Sequence, residues 1–274
     1  MSYRSAILFL CLSPMPLWLC GCGGSPQPSA APASAVAPDP PPPPGSNSNA
    51  PPTSPAPGTI FSNLQDSSGW TSCTKSRNGS VCAAGRGAAV TWMAQHQTTP
   101  SLSGSAAQFY LGGSIGYSNA LWWTLLNSHS PFSRFNYDLW FYVDDASRPE
   151  ALEFDVNQTF GNARYIFGTE CSYRDTKHWD VWDGGAGKWV TTSVPCPPVA
   201  SKAWHHLVWE LERANGKVHY IAVTLDGDRA PVEVYLDPQA PYGGSDISVA
   251  FQLDGDIRQN PYSVWLDKVT LQAQ

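Results

Sequence analysis

From Tyr137 to Asp144 the chain alternates between two kinds of side chain. Leu139, Phe141 and Val143 fall on one parity, and Trp140, Tyr142 and Asp144 on the other. A period of two belongs to a β-strand, whose successive side chains point to opposite faces. The pattern recurs. Leu152, Phe154 and Val156 alternate with Glu153, Asp155 and Asn157. His205, Leu207, Trp209 and Leu211 alternate with Trp204, His206, Val208 and Glu210. Val249, Phe251 and Leu253 alternate with Ala250, Gln252 and Asp254. Strands are predicted at Ala107–Gly112, Ala120–Leu126, Tyr137–Asp144, Ala151–Gln158, Arg164–Cys171 and Lys188–Thr192. Five more are predicted at Trp204–Arg213, Lys217–Leu225, Val232–Leu236, Ile247–Leu253 and Ser263–Gln272. Gly, Pro, Asn and Asp separate them, and helical periodicity is slight. Each strand has one dry face and one decorated face. Two such sheets stacked dry face to dry face predict an all-β fold, a two-sheet antiparallel sandwich of jelly-roll type.

The alternation begins only near Thr59. Residues 1–21 carry Arg4 and then an apolar stretch broken by Ser13, Pro14 and Pro16, which reads as an export signal rather than a spanning helix. Leu19-Cys20-Gly21-Cys22 resembles a bacterial lipobox, with Leu at −3, Gly at −1 and Cys at +1. By that resemblance Cys22 is lipidated and becomes the mature N-terminus. An ordinary signal peptide is the alternative. An acceptor at Cys20 fits less well, with Trp18 and Leu19 preceding it. Residues 22–58 are nearly all Pro, Ala, Ser and Gly, with the run Pro40–Pro44. Such a composition cannot bury a core and is expected to be a disordered tether. Its ~35 residues at ~3.1 Å each reach on the order of 100 Å. The expected layout is a leader (1–21), a linker (22–58) and one sandwich domain (59–274). The chain would be exported to a bacterial cell envelope and held at the outer membrane or cell surface by lipid alone.

Composition narrows the partners. The 274 residues hold 16 Lys and Arg against 22 Asp and Glu, a net charge of −6. No basic cluster or basic amphipathic helix is present, which argues against nucleic acid. A monomer is expected. Of the 7 cysteines, Cys11 and Cys20 would leave with the leader and Cys22 would take the lipid. Cys73, Cys82, Cys171 and Cys196 remain, an even set that suggests two disulfides in an exported domain. Local pairing, Cys73–Cys82 and Cys171–Cys196, is the expectation among three possible pairings. A metal site is the rival reading, but the domain has no C-x-x-C and no His at ligand spacing.

The closing run Ser263-Val-Trp-Leu-Asp-Lys-Val-Thr-Leu271 and the run Trp204-His-His-Leu-Val208 resemble strands of the concanavalin-like lectin/glucanase superfamily. That superfamily includes legume lectins, laminin-G-like modules and laminarinase/lichenase enzymes. The resemblance covers about 200 residues and implies a jelly roll; it supports fold better than activity. The Glu-Phe-Asp-Val-Asn-Gln core, Glu153 to Gln158, is also similar to uncharacterised secreted proteins of soil bacteria.

The same strand raises the question of chemistry. Laminarinase/lichenase enzymes carry Glu-x-Asp-x-Glu, or a version bulged by one residue. The first Glu is the nucleophile and the last is the acid/base. Retaining hydrolysis needs two carboxyls ~5–5.5 Å apart, one ionised and one protonated. Here Glu153 and Asp155 match the first two positions, while Asn157, or Gln158 in the bulged version, stands at the third. An amide cannot donate a proton to a leaving oxygen at neutral pH. By that family's mechanism the strand should not cleave. Glu153 and Asp155 may therefore be read as structural, as ligand-binding or as catalytic. The ligand-binding reading draws on nearby aromatics, since sugar rings stack on flat aromatic faces while carboxylates and amides bond their hydroxyls. The residues assigned to it are Trp140, Tyr142, Glu153, Asp155, Asn157, Trp122 and Gln252. Trp179, Trp182 and Trp189 form a further cluster, and Trp209 and Trp265 read as core.

Three functions follow. The first is non-catalytic recognition of carbohydrate or another extracellular ligand. The second is a glycan-cleaving enzyme; a lyase would draw on His206, Arg164, Gln158, Gln252 and Tyr142, which no motif ties together. The third is a structural or adhesive module that binds protein. Calcium is the one cofactor suggested, by Asp254, Asp256 and Asp267, although none matches an EF-hand loop and turn chemistry explains Asp254-Gly-Asp256 equally well.

Overall fold

A computed structural model describes residues 58–72, 89–126 and 131–274. The leader, Cys22, almost all of the linker, and Cys73 and Cys82 lie outside the described residues. In chain order the strands are β1 (Thr59–Phe61), β2 (Thr71–Ser72), β3 (Ala89–Gln97), β4 (Ala106–Gly113), β5 (Asn119–Leu125) and β6 (Arg134–Val143). Then come β7 (Pro149–Phe160), β8 (Ala163–Phe167), β9 (Thr169–Ser172), β10 (His178–Asp183) and β11 (Lys188–Pro195). The last are β12 (Trp204–Ala214), β13 (Lys217–Leu225), β14 (Asp228–Leu236), β15 (Asp246–Gly255) and β16 (Tyr262–Ala273). One short 3-10 turn, Leu64–Asp66, is the helical element among the described residues.

The strands form two antiparallel sheets. The first runs β14-β13-β12-β6-β16-β4-β3, with β1 also on β16. The second runs β11-β10-β9-β7-β15-β5-β2, with β8 also on β7. The fold is a two-sheet antiparallel β-sandwich. Two of its turns are written in the sequence. Asn215-Gly216 and Asp226-Gly227 close the β12–β13 and β13–β14 hairpins with φ of 52° and 73°, and of 52° and 92°. Asn-Gly and Asp-Gly tolerate these left-handed values, whose twist matches that of the flanking strands.

The apolar parities meet between the sheets. Phe141 of the first sheet packs on Phe154 of the second at 5.2 Å, Phe109 on Phe251 at 5.0 Å, and Trp209 on Trp179 at 5.2 Å with perpendicular rings. Each such side chain contributes about 1.5–3 kcal/mol by leaving water. Trp209 is core as expected, but Trp265 lies half-buried on the outer face of the first sheet.

Several strand assignments differ from the sequence reading, which did not predict the short β1 and β2. The predicted Arg164–Cys171 strand divides at Gly168 into β8 and β9, both lying along β7. A Cβ on Gly168 would stand 2.8 Å from the Cβ of Trp182, so only glycine permits that approach. The alternation did not reveal β3, whose AVTWMAQHQ has no fully buried parity. Nor did it reveal β10, where tryptophans stand on both parities. Cys171 and Cys196 are joined by a disulfide, in agreement with local pairing.

Candidate functional site

Strand β7 lies at the centre of the second sheet, with Glu153, Asp155 and Asn157 on its outer face. All three are nearly buried, at 5, 8 and 6 % exposure. Their surroundings come from register. Gln252 of β15 stands opposite Glu153, Ala250 opposite Asp155, and Ser248 opposite Asn157. On the other side Glu170 of β9 faces Glu153, and Asp180 of β10 faces Glu170. Leu121 of β5 continues the row beyond Gln252. One face thus gathers carboxyls from β7, β9 and β10.

A cleft of about 430 Å³ opens over this face. Glu153, Asp155 and Gln252 form its polar floor, with Leu121 and Ile166 beside them. Trp182 and Trp189 line it as a T-shaped pair, ring centres 5.2 Å apart, at the base of the β10–β11 hairpin. The glycine-rich turn 184–187 and residues 238–240 complete the lining. These two segments are tied together, since the Gly185 N–H donates to the Asp237 carbonyl at 2.9 Å. Gln239 exchanges backbone hydrogen bonds with Arg164 at 2.9 and 3.0 Å, which fixes the strap to β8.

The floor is a coupled carboxyl system. The Gln252 amide donates to the Glu153 carboxyl and reaches both oxygens of Asp254, at 3.1 and 3.3 Å. Burial pushes Glu153 well above the usual carboxylate range, and Asp254, Asp155 and Glu170 push it further by repulsion. Glu153 and Asp254 interact directly as well as through Gln252. Burial pushes Asp254 up to about 7, against hydrogen bonds from Gln252, Glu153 and Asn119. Burial likewise pushes Asp155 up to about 7, opposed by the Thr169 N–H, which donates to it at 3.1 Å, and by Arg164. Carboxyls held near neutrality in a cleft can bind hydroxyls, and can also give or take protons.

The structure corrects the residue set read from the sequence. Trp140 and Tyr142 lie on β6, on the outer face of the first sheet, with the sandwich core between them and Glu153. There Trp140 stacks on His206 at 4.7 Å, and Tyr142 packs between Trp204 and Trp265. Strands β6 and β7 are consecutive, but the turn 144–148 carries the chain from one sheet to the other. Trp122 points inward at 3 % exposure, against Phe109; its pairing with the inward Phe251 places it on the dry face. Asn157 shares the face of Glu153 and Asp155 but stands one row beyond the cleft lining, between Ser248 and Ile166. Gln158 points inward and accepts from Arg213 at 3.1 Å, so the bulged acid/base position is not in the cleft. Gln252 stands with Glu153.

The lyase set is likewise dispersed. His206, paired with Asp138 at 2.8 Å, and Tyr142 lie on the first sheet, while Arg164 and Gln252 lie on the second.

The three aspartates considered for calcium do not converge. Asp254 belongs to the carboxyl floor. One oxygen of Asp256 accepts the N–H groups of Arg258 and Gln259, and the other lies 3.5 Å from Arg174. Asp267 is on the first sheet, where the 101–103 segment supplies two backbone N–H and two hydroxyl donors. Burial raises the Asp267 carboxyl, but these hydrogen bonds outweigh it and hold the group below its ordinary value. Among the described residues no group of three or more His, Cys, Asp or Glu has a metal-ligating arrangement.

Sequence reasoning missed three contributors. Asp254 shares the outward parity of Gln252, so a signal existed, but only register brings it beside Glu153. Trp182 and Trp189 were grouped with Trp179; the structure sends Trp179 to the core at 2 % exposure and leaves the other two half-buried on the cleft.

No family model matches the chain, and no curated protein matches it. Solved structures similar to it include peanut lectin with a nine-residue peptide, at 12% identity over 80% of this chain and 98% of that one, TM-score 0.49. A carbohydrate esterase from a Shiga toxin-encoding bacteriophage is similar at 16% identity over 80% of this chain and 100% of that one, TM-score 0.43. A family 11 carbohydrate-binding module from Clostridium thermocellum is similar at 10% identity over 79% and 96%, TM-score 0.39. None of the three reaches a TM-score of 0.5, and no residue role is carried over from them.

Proposed function

We propose that the protein recognises carbohydrate in the cleft on the outer face of the second sheet. The observation that carries this reading is the pairing of a carboxyl and amide floor (Glu153, Asp155, Gln252) with two half-buried tryptophans, Trp182 and Trp189. Sugars present hydroxyls around an apolar C–H face, so hydrogen-bonding groups beside flat aromatic rings complement both features. The domain would belong to the concanavalin-like superfamily and act at a bacterial envelope. Lipid on Cys22 and the 22–58 tether would hold it there.

The coupled carboxyls favour one second reading, cleavage of the bound glycan. Asn157 removes the acid expected on β7, but Asp254 brings another carboxyl into contact with Glu153 from β15. In this reading Glu153, raised by burial, is the acid, and an ionised Asp155 or Asp254 is the base or nucleophile.

A glycan array with the full chain, alongside Glu153→Gln and Trp182→Ala, tests both readings, with a reducing-end assay on every hit. Binding that Trp182→Ala weakens, without new reducing ends, supports recognition. New reducing ends that Glu153→Gln abolishes establish cleavage. Silence on all glycans removes both readings and favours a protein-binding module.

A further inference from the structure

The charged side chains that line the cleft are all acidic. Its lining contains two carboxyls, Glu153 and Asp155, and no Lys or Arg. Asp254 lies behind them, in contact with Glu153. Burial, Asp254, Asp155 and Glu170 all disfavour the ionised form of Glu153, against the hydrogen bond it accepts from Gln252. Arg164 offsets part of the effect at Asp155 but does not line the cleft. An independent feature points the same way. Gln252 is 1 % exposed, and its Oε1 has no hydrogen-bond partner, while its amide nitrogen is committed to Glu153 and Asp254. A buried acceptor without a donor costs roughly 1–3 kcal/mol in a protein interior. Buried carboxyls without a counter-cation also disfavour folding at neutral pH. The cleft lacks a cationic donor.

We infer that the cleft selects a sugar bearing a protonated amine, a 2-amino-2-deoxy sugar in a glycan, over the same sugar N-acetylated or replaced by a uronate. This rests on the carbohydrate reading above and names its ligand class. An ammonium group supplies positive charge to Glu153, Asp155 and Asp254, and brings N–H donors beside the buried, unpartnered Gln252 Oε1. Trp182 and Trp189 favour the same charge, since aromatic faces attract cations. A uronate would place a further negative charge on the carboxyl floor. Binding of the ammonium form lowers the proton affinity of the carboxyls, so protons they carry pass to the buffer; an amine that arrived neutral would take up a proton instead.

Calorimetry on the full chain at about pH 6, where the sugar amine is largely cationic, compares a glucosamine tetrasaccharide, its fully N-acetylated counterpart and a glucuronate oligomer of equal length. The expected result is at least ~10-fold tighter binding of the amine form, no binding of the uronate, and a heat that varies with the buffer because protons are released. Glu153→Gln and Asp254→Asn should each shrink the preference, with melting curves confirming that they fold. Proton release is read on the unaltered chain and needs neither variant.

Equal or tighter binding of the N-acetylated form or the uronate, still lost in Trp182→Ala, would overturn the inference and leave the carbohydrate reading intact. Amine binding without proton release and indifferent to both variants would reflect attraction to the chain's net negative charge and would also overturn it. Silence from all three oligomers and the glycan array would remove both the inference and the reading beneath it.

Discussion

The side-chain amide of Gln252 donates to the carboxyl of Glu153, a residue 99 positions earlier that lies directly opposite it across β15 and β7. This pair joins two strands distant in sequence into one polar floor. It also draws in Asp254, two residues from Gln252 on the same face, and so creates the cluster of carboxyls beneath the cleft.

That group makes stability depend on pH. Asp155 and Asp254 rise from 3.8 to about 7 on folding. Between those values the folded chain holds protons that the unfolded chain releases, so stability falls as pH climbs from about 4 to about 7. Glu153, also raised, acts in the same direction. A loss on the order of a few kcal/mol across the window is expected in urea unfolding midpoints. Asp155→Asn keeps the Thr169 acceptor and should flatten the slope. A stability that rises across the same range would contradict the carboxyl floor.

The two outer faces should separate in a binding assay. Trp182→Ala removes a half-buried ring from the cleft and should weaken glycan binding about 10-fold, or ~1.4 kcal/mol. Trp140→Ala acts on the opposite sheet and should leave binding unchanged. Titration of one glycan against both variants decides it; the reverse pattern would place the site on the first sheet.

Trp122 should behave as core. Trp122→Ala is expected to cost about 3–5 kcal/mol of stability, visible as a lower denaturant midpoint. If it instead lowers affinity with stability unchanged, the inward orientation is wrong.

The lining of the cleft depends on glycine. A Cβ on Gly185 would stand 2.6 Å from the Cβ of Asp237. Gly185→Ala should therefore push the 184–187 turn off the 237–240 strap, at a cost of about 1–3 kcal/mol, and weaken ligand binding. Parallel melting and binding measurements would show both effects. At Gly187, where φ is 63° and no neighbour stands within 4 Å, Ala should strain the turn without touching the strap.

The disulfide between Cys171 and Cys196 closes a loop of sequence separation 25. Replacing both by Ala should cost roughly 2–4 kcal/mol. Guanidine unfolding of the double variant against the oxidised parent measures it.

The sequence by itself determined the local facts. Alternation in Tyr137–Asp144, Ala151–Gln158, Trp204–Glu212 and Ile247–Leu253 assigned each side chain to a dry or a decorated face, because strand geometry fixes that parity. It therefore placed Glu153, Asp155 and Gln252 outward and Phe154 and Trp209 inward. The same logic could not say which sheet a strand joins. Trp140 and Glu153, both outward and 13 positions apart, proved to lie on opposite sides of the sandwich, because the turn 144–148 crosses between sheets. Nor could it set register, which pairs Glu153 with Gln252, brings Asp254 beside them and turns Trp122 inward. Register and sheet membership are settled by contacts across tens to hundreds of residues, and only the packed sandwich decides those.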